Sequence, residues 1–369
     1  MGYINAMNII GVICEFNPFH NGHLYFLNKI KERYPDSLII LVLNGYFLQR
    51  GEISLIPKFD KTKIALEYGV DIVLELPTLF GSQSADTFAC MSVSILNQMH
   101  VDKIIFGSER NDVDDLIKLA KLSIEKHEDD NIKKYLDEGC NYPTALAKAL
   151  GIKEKILSND LLGISYIKAI LKINDKIIPE VIQRTNDYLD KTSNNDIVSA
   201  SNIREKLNNN IDINKYVPQG ITSYIKKIDN DLLFNLIKTL IINNQHLDNI
   251  LDVDEGMDNR LRDVIFKVNN IDDLVESLKT KRYTYNKIRR MLVHILLNIE
   301  KKDAKLELDY LHILGFNQKG KNYLNKNKIH FVVNKTSKVY QIEIKSVIIY
   351  DMLTNLNETK KELSNKPIY

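Results

Sequence analysis

The spacing of apolar positions changes along this chain. Through roughly the first hundred residues, short continuous apolar runs alternate with stretches in which apolar side chains recur every three or four positions. Ile9-Ile10-Gly11-Val12-Ile13-Cys14, Leu38 to Leu43, Ile72 to Leu76 and Lys103 to Phe106 read as buried strands. The helical period falls between them, at His23 to Arg33, Phe59 to Tyr68 and Ser84 to Met99, and continues at Asp114 to His127 and Leu161 to Leu171. Lys176 to Gln183 reads as a fifth strand. β-Branched, uninterrupted strands alternating with helices predict an α/β architecture, a parallel sheet covered on both faces with right-handed crossovers. Beyond about residue 205 the strands largely stop. Leu232 to Ile242, Asp272 to Leu278 and Tyr285 to Ile299 read as helices, and Ile329 to Val333 with Val339 to Ile344 as a late hairpin. The expected division is 1–205 for the α/β unit and 206–369 for a mainly helical one.

Composition narrows this picture. The 369 residues exceed one typical domain, and 44% are hydrophobic, which is ample for a core. No apolar run reaches the ~20 residues that cross a bilayer, and no export pattern opens the chain, so a soluble cytoplasmic protein without membrane association is expected. Cys14, Cys90 and Cys140 are odd in number and widely spaced, which argues against a disulfide framework or a zinc site. The net charge of +2 conceals an asymmetry: from residue 205 onward there are 27 Lys/Arg against 21 Asp/Glu, and residues 281–328 hold 12 against 4. Such a concentration can neutralise phosphates of a nucleic acid, although a solvated lysine-rich surface looks the same from charge alone.

In a doubly wound sheet the ligand lies beyond the carboxyl ends of the strands, so the loops there carry the chemistry. The first apolar strand runs into Glu15-Phe16-Asn17-Pro18-Phe19-His20-Asn21-Gly22-His23, where a helix opens. His20 and His23 share a face of that helix start, and Gly22 lets the backbone approach a ligand closely. Imidazole N–H groups and the positive helix end together suit a triphosphate, and could stabilise charge developing during attack on its α-phosphorus. No third ligand completes a zinc set there, although Glu15 could assist a magnesium-bound nucleotide. Ser199-Ala200-Ser201-Asn202-Ile203-Arg204 is a second helix start, whose hydroxyls and guanidinium could form the other half of the clamp.

These two motifs resemble those of the HIGH-type nucleotidyltransferase superfamily. More narrowly, the segment from Glu15 to His23, Gln49-Arg50-Gly51-Glu52, Glu75-Leu76-Pro77 and Phe106-Gly107-Ser108-Glu109, in this order, resemble the tRNA(Met) cytidine acetate ligase family, with similarity extending to Gly315-Phe316-Asn317 and Lys319-Gly320. The resemblance implies a Rossmann-like nucleotidyltransferase domain and a two-step reaction. Acetate and ATP would give acetyl-adenylate and pyrophosphate, and the acetyl group would pass to N4 of the wobble cytidine of elongator tRNA(Met), forming N4-acetylcytidine. It further implies ATP contacts from Ile13, Cys14, Glu15, Phe16, Asn17, Pro18, Phe19, His20, Asn21, Gly22, His23, Leu24, Tyr25 and Phe26, then from Gly107, Asn159 and Arg184. Ser201 stands where threonine is common, and either residue offers a hydroxyl.

His20, His23 and Arg204 are therefore the expected catalytic groups, with Ser199 and Ser201 beside the phosphates. Acetate is already an anion at neutral pH and needs no base to activate it, whereas the second step must remove a proton from an amine. Gln49 and Arg50 are candidates for holding acetate or the cytosine edge. Lys281, Arg282, Tyr283, Arg289, Arg290, Lys319 and Lys321 are candidates for tRNA, because cations engage phosphates and a tyrosine can stack on an unpaired base. Magnesium is expected to accompany ATP without a dedicated ligand set, and no obligate protein partner is evident. The rival readings are an adenylyl- or cytidylyltransferase acting on a small metabolite, and a nucleic-acid binding protein with an inactive nucleotide site. A class I aminoacyl-tRNA synthetase is disfavoured by the lack of a Lys-Met-Ser-Lys-Ser type loop.

Overall fold

A computed structural model describes residues 7–125, 130–138, 140, 142–149, 151, 156–184, 196–329, 331 and 333–369. Its elements run β1 (Ile9–Cys14), α1 (Asn21–Arg33), β2 (Leu38–Asn44), α2 (Lys58–Glu67), β3 (Ile72–Leu76), α3 (Thr78–Gly81), α4 (Ala85–Gln98), β4 (Lys103–Ser108), α5 (Val113–Glu125), α6 (Asp130–Asp137), α7 (Tyr142–Ala149), α8 (Ser158–Ile173), β5 (Ile178–Gln183) and α9 (Ala200–Asn208). Then follow α10 (Asn230–Asn243), α11 (Met257–Val264), α12 (Ile271–Leu278), α13 (Tyr285–Leu297), β6 (Ile313–Phe316), α14 (Gln318–Asn327), α15 (Lys338–Thr354) and α16 (Glu358–Ser364). None of the described helices is long and apolar enough to cross a membrane.

The strands form one sheet in the order β5-β4-β1-β2-β3-β6, parallel except for β6, which runs antiparallel to β3. Continuous apolar strands are buried on both faces: all of β2 and β3 is buried, with Leu38, Ile40 and Val42 in one core cluster and Ile39, Leu41 and Leu43 in the other. The order of connection reverses at β1, which lies between β2 and β4. A crevice therefore opens beyond the carboxyl ends of β1 and β4.

The segment from 206 onward packs against this sheet and shares a core with the stretch before it. Helices α10 to α13 join the larger core cluster with the sheet's outer layer, and β6 closes the sheet's edge. Gly315 in β6 lies so close to Thr62 of α2 that a Cβ would approach its Cγ2 to 2.7 Å. Lys58 of α2 ties the two stretches together, since its ammonium pairs with Glu75 of β3, Glu343 of α15 (3.1 Å) and Glu362 of α16 (2.6 Å), all fully buried. His312 bonds the other oxygen of Glu75 at 2.7 Å. Removing one partner from such a network leaves a buried charge uncompensated, at a cost of roughly 3–5 kcal/mol.

The expected late hairpin is corrected, as far as the described residues reach; His330 and Val332 lie outside them. Val339 to Ile344 is the first part of a helix, α15, whose N-cap Ser337 accepts from the amides of Val339 (3.1 Å) and Tyr340 (3.4 Å). Val339-Tyr340, Glu343, Val347, Tyr350 and Leu353 repeat every three or four residues and are all buried, so the helical period outweighs the brief alternation that reads as a strand.

Candidate active site

The apolar run of β1 ends at Cys14 and the chain turns through Glu15 to His20 into α1. His20 is the N-cap: its Nδ1 accepts from the Gly22 amide at 3.0 Å, and its own amide donates to Nδ1 of His23 at 3.3 Å. An imidazole nitrogen that accepts from an amide carries no proton in the neutral ring, so this pattern assigns the proton of both rings to Nε2. Both rings are held neutral. Burial, then the charges of Arg184 and Arg204, pull His20 down to about 3; burial, then His20 and Arg184, lower His23 well below its ordinary value. The ring centroids lie 3.9 Å apart, and Phe16 and Phe19 pack against His23 at 4.8 and 5.6 Å. Gly22 is required by the histidine itself, because a Cβ would come within 2.7 Å of Cε1 of His20.

A cavity of about 1030 Å³ opens over this pair, at the upper end of the ~300–1,000 Å³ usual for small-molecule sites. Its wall includes the starts of five helices: His20, Gly22 and His23 at α1, Ser84 to Asp86 at α4, Ser158 and Asn159 at α8, Ser199 to Ser201 at α9, and Thr284, Asn286 and Lys287 at α13. Each start presents backbone N–H groups without intrahelical partners and a partial positive charge, so the cavity favours an anion. All five lining carboxylates are bonded within the protein. Glu15 accepts from the Gln49 amide (2.7 Å) and Asn44 (3.2 Å), Glu52 from Arg204 (2.9 Å), Asp86 from Ser165 (2.8 Å) and Lys168 (2.9 Å), and Glu255 (2.7 Å) and Asp137 (3.3 Å) from Arg282. Burial pushes the thiol of Cys14 up to about 12, so it stays protonated.

Most residues expected at the nucleotide meet here. Ile13 to Asn17, His20, Gly22, His23, Tyr25, Phe26, Gly107, Asn159, Arg184, Ser199, Ser201 and Arg204 line the cavity, together with Gln49 and Arg50. Pro18, Phe19, Asn21 and Leu24 do not: Phe19 is in the core, and Asn21 donates to the carbonyls of Asp196 (2.9 Å) and Lys215 (3.0 Å). Arg204 is committed to Asn17 O (2.7 Å), Glu52 (2.8 Å) and Ser201 of its own helix (3.2 Å), so it fastens the start of α9 to two loops. Arg184 is the guanidinium whose field reaches both imidazoles.

The basic residues expected at tRNA divide into three groups. Arg282 and Arg290 line the cavity, joined by Lys287, which no motif marks because a lone lysine carries little information in so lysine-rich a chain. Tyr283 is buried, with its hydroxyl donating to Asp254 O (2.9 Å), so it offers no face to a base. Lys281 is exposed outside the cavity, and Arg289 pairs with Asp272 at 2.7 Å. Lys319 and Lys321 are elsewhere altogether. Lys319 donates to Ser37 O (2.6 Å) at the entrance to β2, the opposite end of the sheet, and Lys321 lies 5.0 Å from the ring centroid of Tyr369. Glu52 likewise escapes sequence reading as a site residue, since its role exists only through the distant Arg204.

A sheet that reverses order over two histidines at a helix start defines a HIGH nucleotidyltransferase, and the profile of the HIGH Nucleotidyl Transferase family matches residues 7–366. The chain is 39% identical to the tRNA(Met) cytidine acetate ligase of Fusobacterium nucleatum over 86% of its length and 84% of the relative's. It is 35% identical to that of a Thermoanaerobacter species over 98% of its length and 92% of the relative's. Among solved structures, apo Thermotoga maritima TmcAL superposes with a TM-score of 0.85 at 27% identity, covering 98% of this chain and 99% of that one. The same protein bound with alpha-thio ATP gives 0.82 at 28% identity, with the same coverage. This chain belongs to the tRNA(Met) cytidine acetate ligase family, and so is a ligase of nucleotidyltransferase fold with an ATP-binding site.

Proposed function

We propose that this protein joins acetate to ATP as acetyl-adenylate, releasing pyrophosphate, and passes the acetyl group to N4 of the wobble cytidine of elongator tRNA(Met). The observation that carries this reading is the pair of neutral imidazoles at the start of α1, each with its proton on Nε2, beside Arg184 and under four further helix starts. In the first step an acetate oxygen attacks the α-phosphorus and the bond to the bridging oxygen of pyrophosphate breaks. His20 and His23 would donate N–H to phosphate oxygens, and Arg184 with the helix ends would balance the charge that moves onto the leaving group. Because the rings begin neutral, their donors are in place before the phosphates arrive, at no cost in reorganisation. In the second step the N4 amine attacks the acetyl carbon, AMP leaves, and one amine proton goes to a base or to water. Magnesium is expected to arrive with the nucleotide.

The other wall of the cavity suits the acceptor. Arg282, Lys287 and Arg290 project from the turn before α13 and its first turns, in a region of positive charge, and their reach fits the phosphates of a single-stranded loop better than a small metabolite. Labelled acetate with ATP, with and without total tRNA, tests the whole reading. Acetate-dependent exchange of pyrophosphate into ATP and acid-stable label on tRNA are expected, neither of them stimulated by acetyl-coenzyme A. Absence of both signals would sink the proposal, and nucleotide transfer to a metabolite without label on tRNA would favour an adenylyl- or cytidylyltransferase.

A further inference from the structure

Beneath the cavity lies a charged group that the reaction does not use. Lys61 of α2 is fully buried, and its ammonium donates to three main-chain carbonyls: Glu15 O at 3.0 Å, Asn44 O at 2.6 Å and Gly45 O at 2.8 Å. Glu15 belongs to the loop that leads from β1 to His20, whereas Asn44 and Gly45 form the exit of β2 toward Gln49 and Arg50. An ammonium has three hydrogens, and each finds one carbonyl here. The same two loops meet again one layer higher, where the Glu15 carboxylate accepts from Asn44 and from the Gln49 amide. Lys58, three residues earlier on the same face of α2, serves the carboxylates of β3, α15 and α16. The two buried lysines thus divide the work: one holds the C-terminal helices, the other the two active-site loops.

We infer that Lys61 is a positioning residue, whose protonated side chain locks the loop leading to His20 and His23 to the loop carrying Gln49 and Arg50. The inference rests on the function proposed above only for its activity readout. Burial pushes the ammonium down to about 7; Glu15 raises it, Lys58 lowers it, and Glu75 and Glu343 raise it. Those four come from the loop after β1, from α2 itself, from β3 and from α15. The neutral amine has two hydrogens for three carbonyls, so loss of the proton releases one of the three contacts.

Replacing Lys61 with methionine keeps the length of the side chain and removes its donors. In Lys61→Met, hydrogen–deuterium exchange is expected to rise about tenfold or more in residues 14–17 and 44–50 together, reflecting local opening of both loops. Acetate-dependent exchange of pyrophosphate into ATP should fall about 100-fold in kcat, the effect of a displacement of about 1 Å at reacting groups, while ATP affinity changes by less than about fivefold. Ile64→Ala, a core truncation in the same helix, is the control for lost stability: it should lower Tm without opening the two loops selectively. The inference is overturned if the loops exchange in Lys61→Met as they do in the wild type, or if kcat falls only in proportion to the folded fraction. Should Lys61→Met not fold, the wild-type protein supplies the test. Protection of both loops, corrected for intrinsic exchange, should fall together as pH rises from 6 to 9, and invariance would overturn the inference. The exchange arms need neither acetate nor tRNA, so a wild-type protein inactive with acetate would sink the proposed function while leaving this test standing.

Discussion

The two walls of the cavity solve different problems with different materials. On the strand-end wall, His20 is buried and His23 half-buried against Phe16 and Phe19, and both rings are neutral and oriented by main-chain amides. On the opposite wall, Arg282, Lys287 and Arg290 are long cations around one helix start, and Arg282 is exposed. Transition-state chemistry depends on fixed donors, which a sheet edge supplies because each strand end is located by its neighbours. Binding a polyanion depends on the number of cations within reach, which a helix surface supplies without fine placement. The difference predicts which substitutions should affect chemistry and which should affect partner affinity.

The largest effect should come from the first wall. His23→Ala removes one of two converging donors and is expected to lower acetate-dependent pyrophosphate exchange by about 1,000-fold, an oxyanion-type loss; exchange within about tenfold of wild type would mean that the imidazoles only shape the loop. Acid should strike the same wall. The folded value of His20 is about 3, depressed from the ordinary 6.5, so between those limits the unfolded chain binds the extra proton. Stability associated with this ring is therefore complete above about pH 6.5 and declines as pH falls toward 3, by up to a few kcal/mol. Denaturant titrations at pH 7 and 5 measure this, and His20→Asn should flatten the dependence.

On the second wall, Lys287→Ala with Arg290→Ala should leave pyrophosphate exchange within about threefold. Transfer to tRNA should fall about tenfold and its salt dependence should weaken, the slope dropping by roughly 0.7 for each phosphate no longer neutralised. Loss of exchange in this pair would erase the distinction between the walls. The smallest effect is expected for Lys319→Ala, at the far end of the sheet: less than about twofold on either step, because its ammonium is spent on Ser37 O. A marked loss of tRNA acetylation there would extend the acceptor surface around the molecule.

Several features of the fold and site are legible in local pattern. Strands buried on both faces are written as continuous apolar runs, and a His-x-x-His after such a run, at the point where a helix begins, has few physical uses other than an anion. Gly22 stands out in the sequence too, and the structure adds a reason the sequence does not show: it makes room for the ring of His20. Charge pattern is less informative, because Lys281, Arg282, Lys287, Arg289, Lys319 and Lys321 look alike in a lysine-rich chain, while the partners that set Arg282, Arg289 and Lys319 apart come from distant segments. The short strand Ile313–Phe316 is invisible to periodicity because four residues carry no period of their own; its place is set by the edge of β3.

What the chain determines by itself is therefore whatever depends on neighbours a few residues away: strand burial, helix starts, and the pairing of His20 with His23 through the intervening amides. Tertiary structure alone decided whatever depends on a partner far along the chain. Arg204 became a fastener to Glu52, Lys58 and Lys61 became buried ties between loops and helices, and α13 came to face the nucleotide loops across one cavity. The physical reason is that the role of a charge is set by its nearest opposite charge or carbonyl, and folding chooses that neighbour from the whole chain.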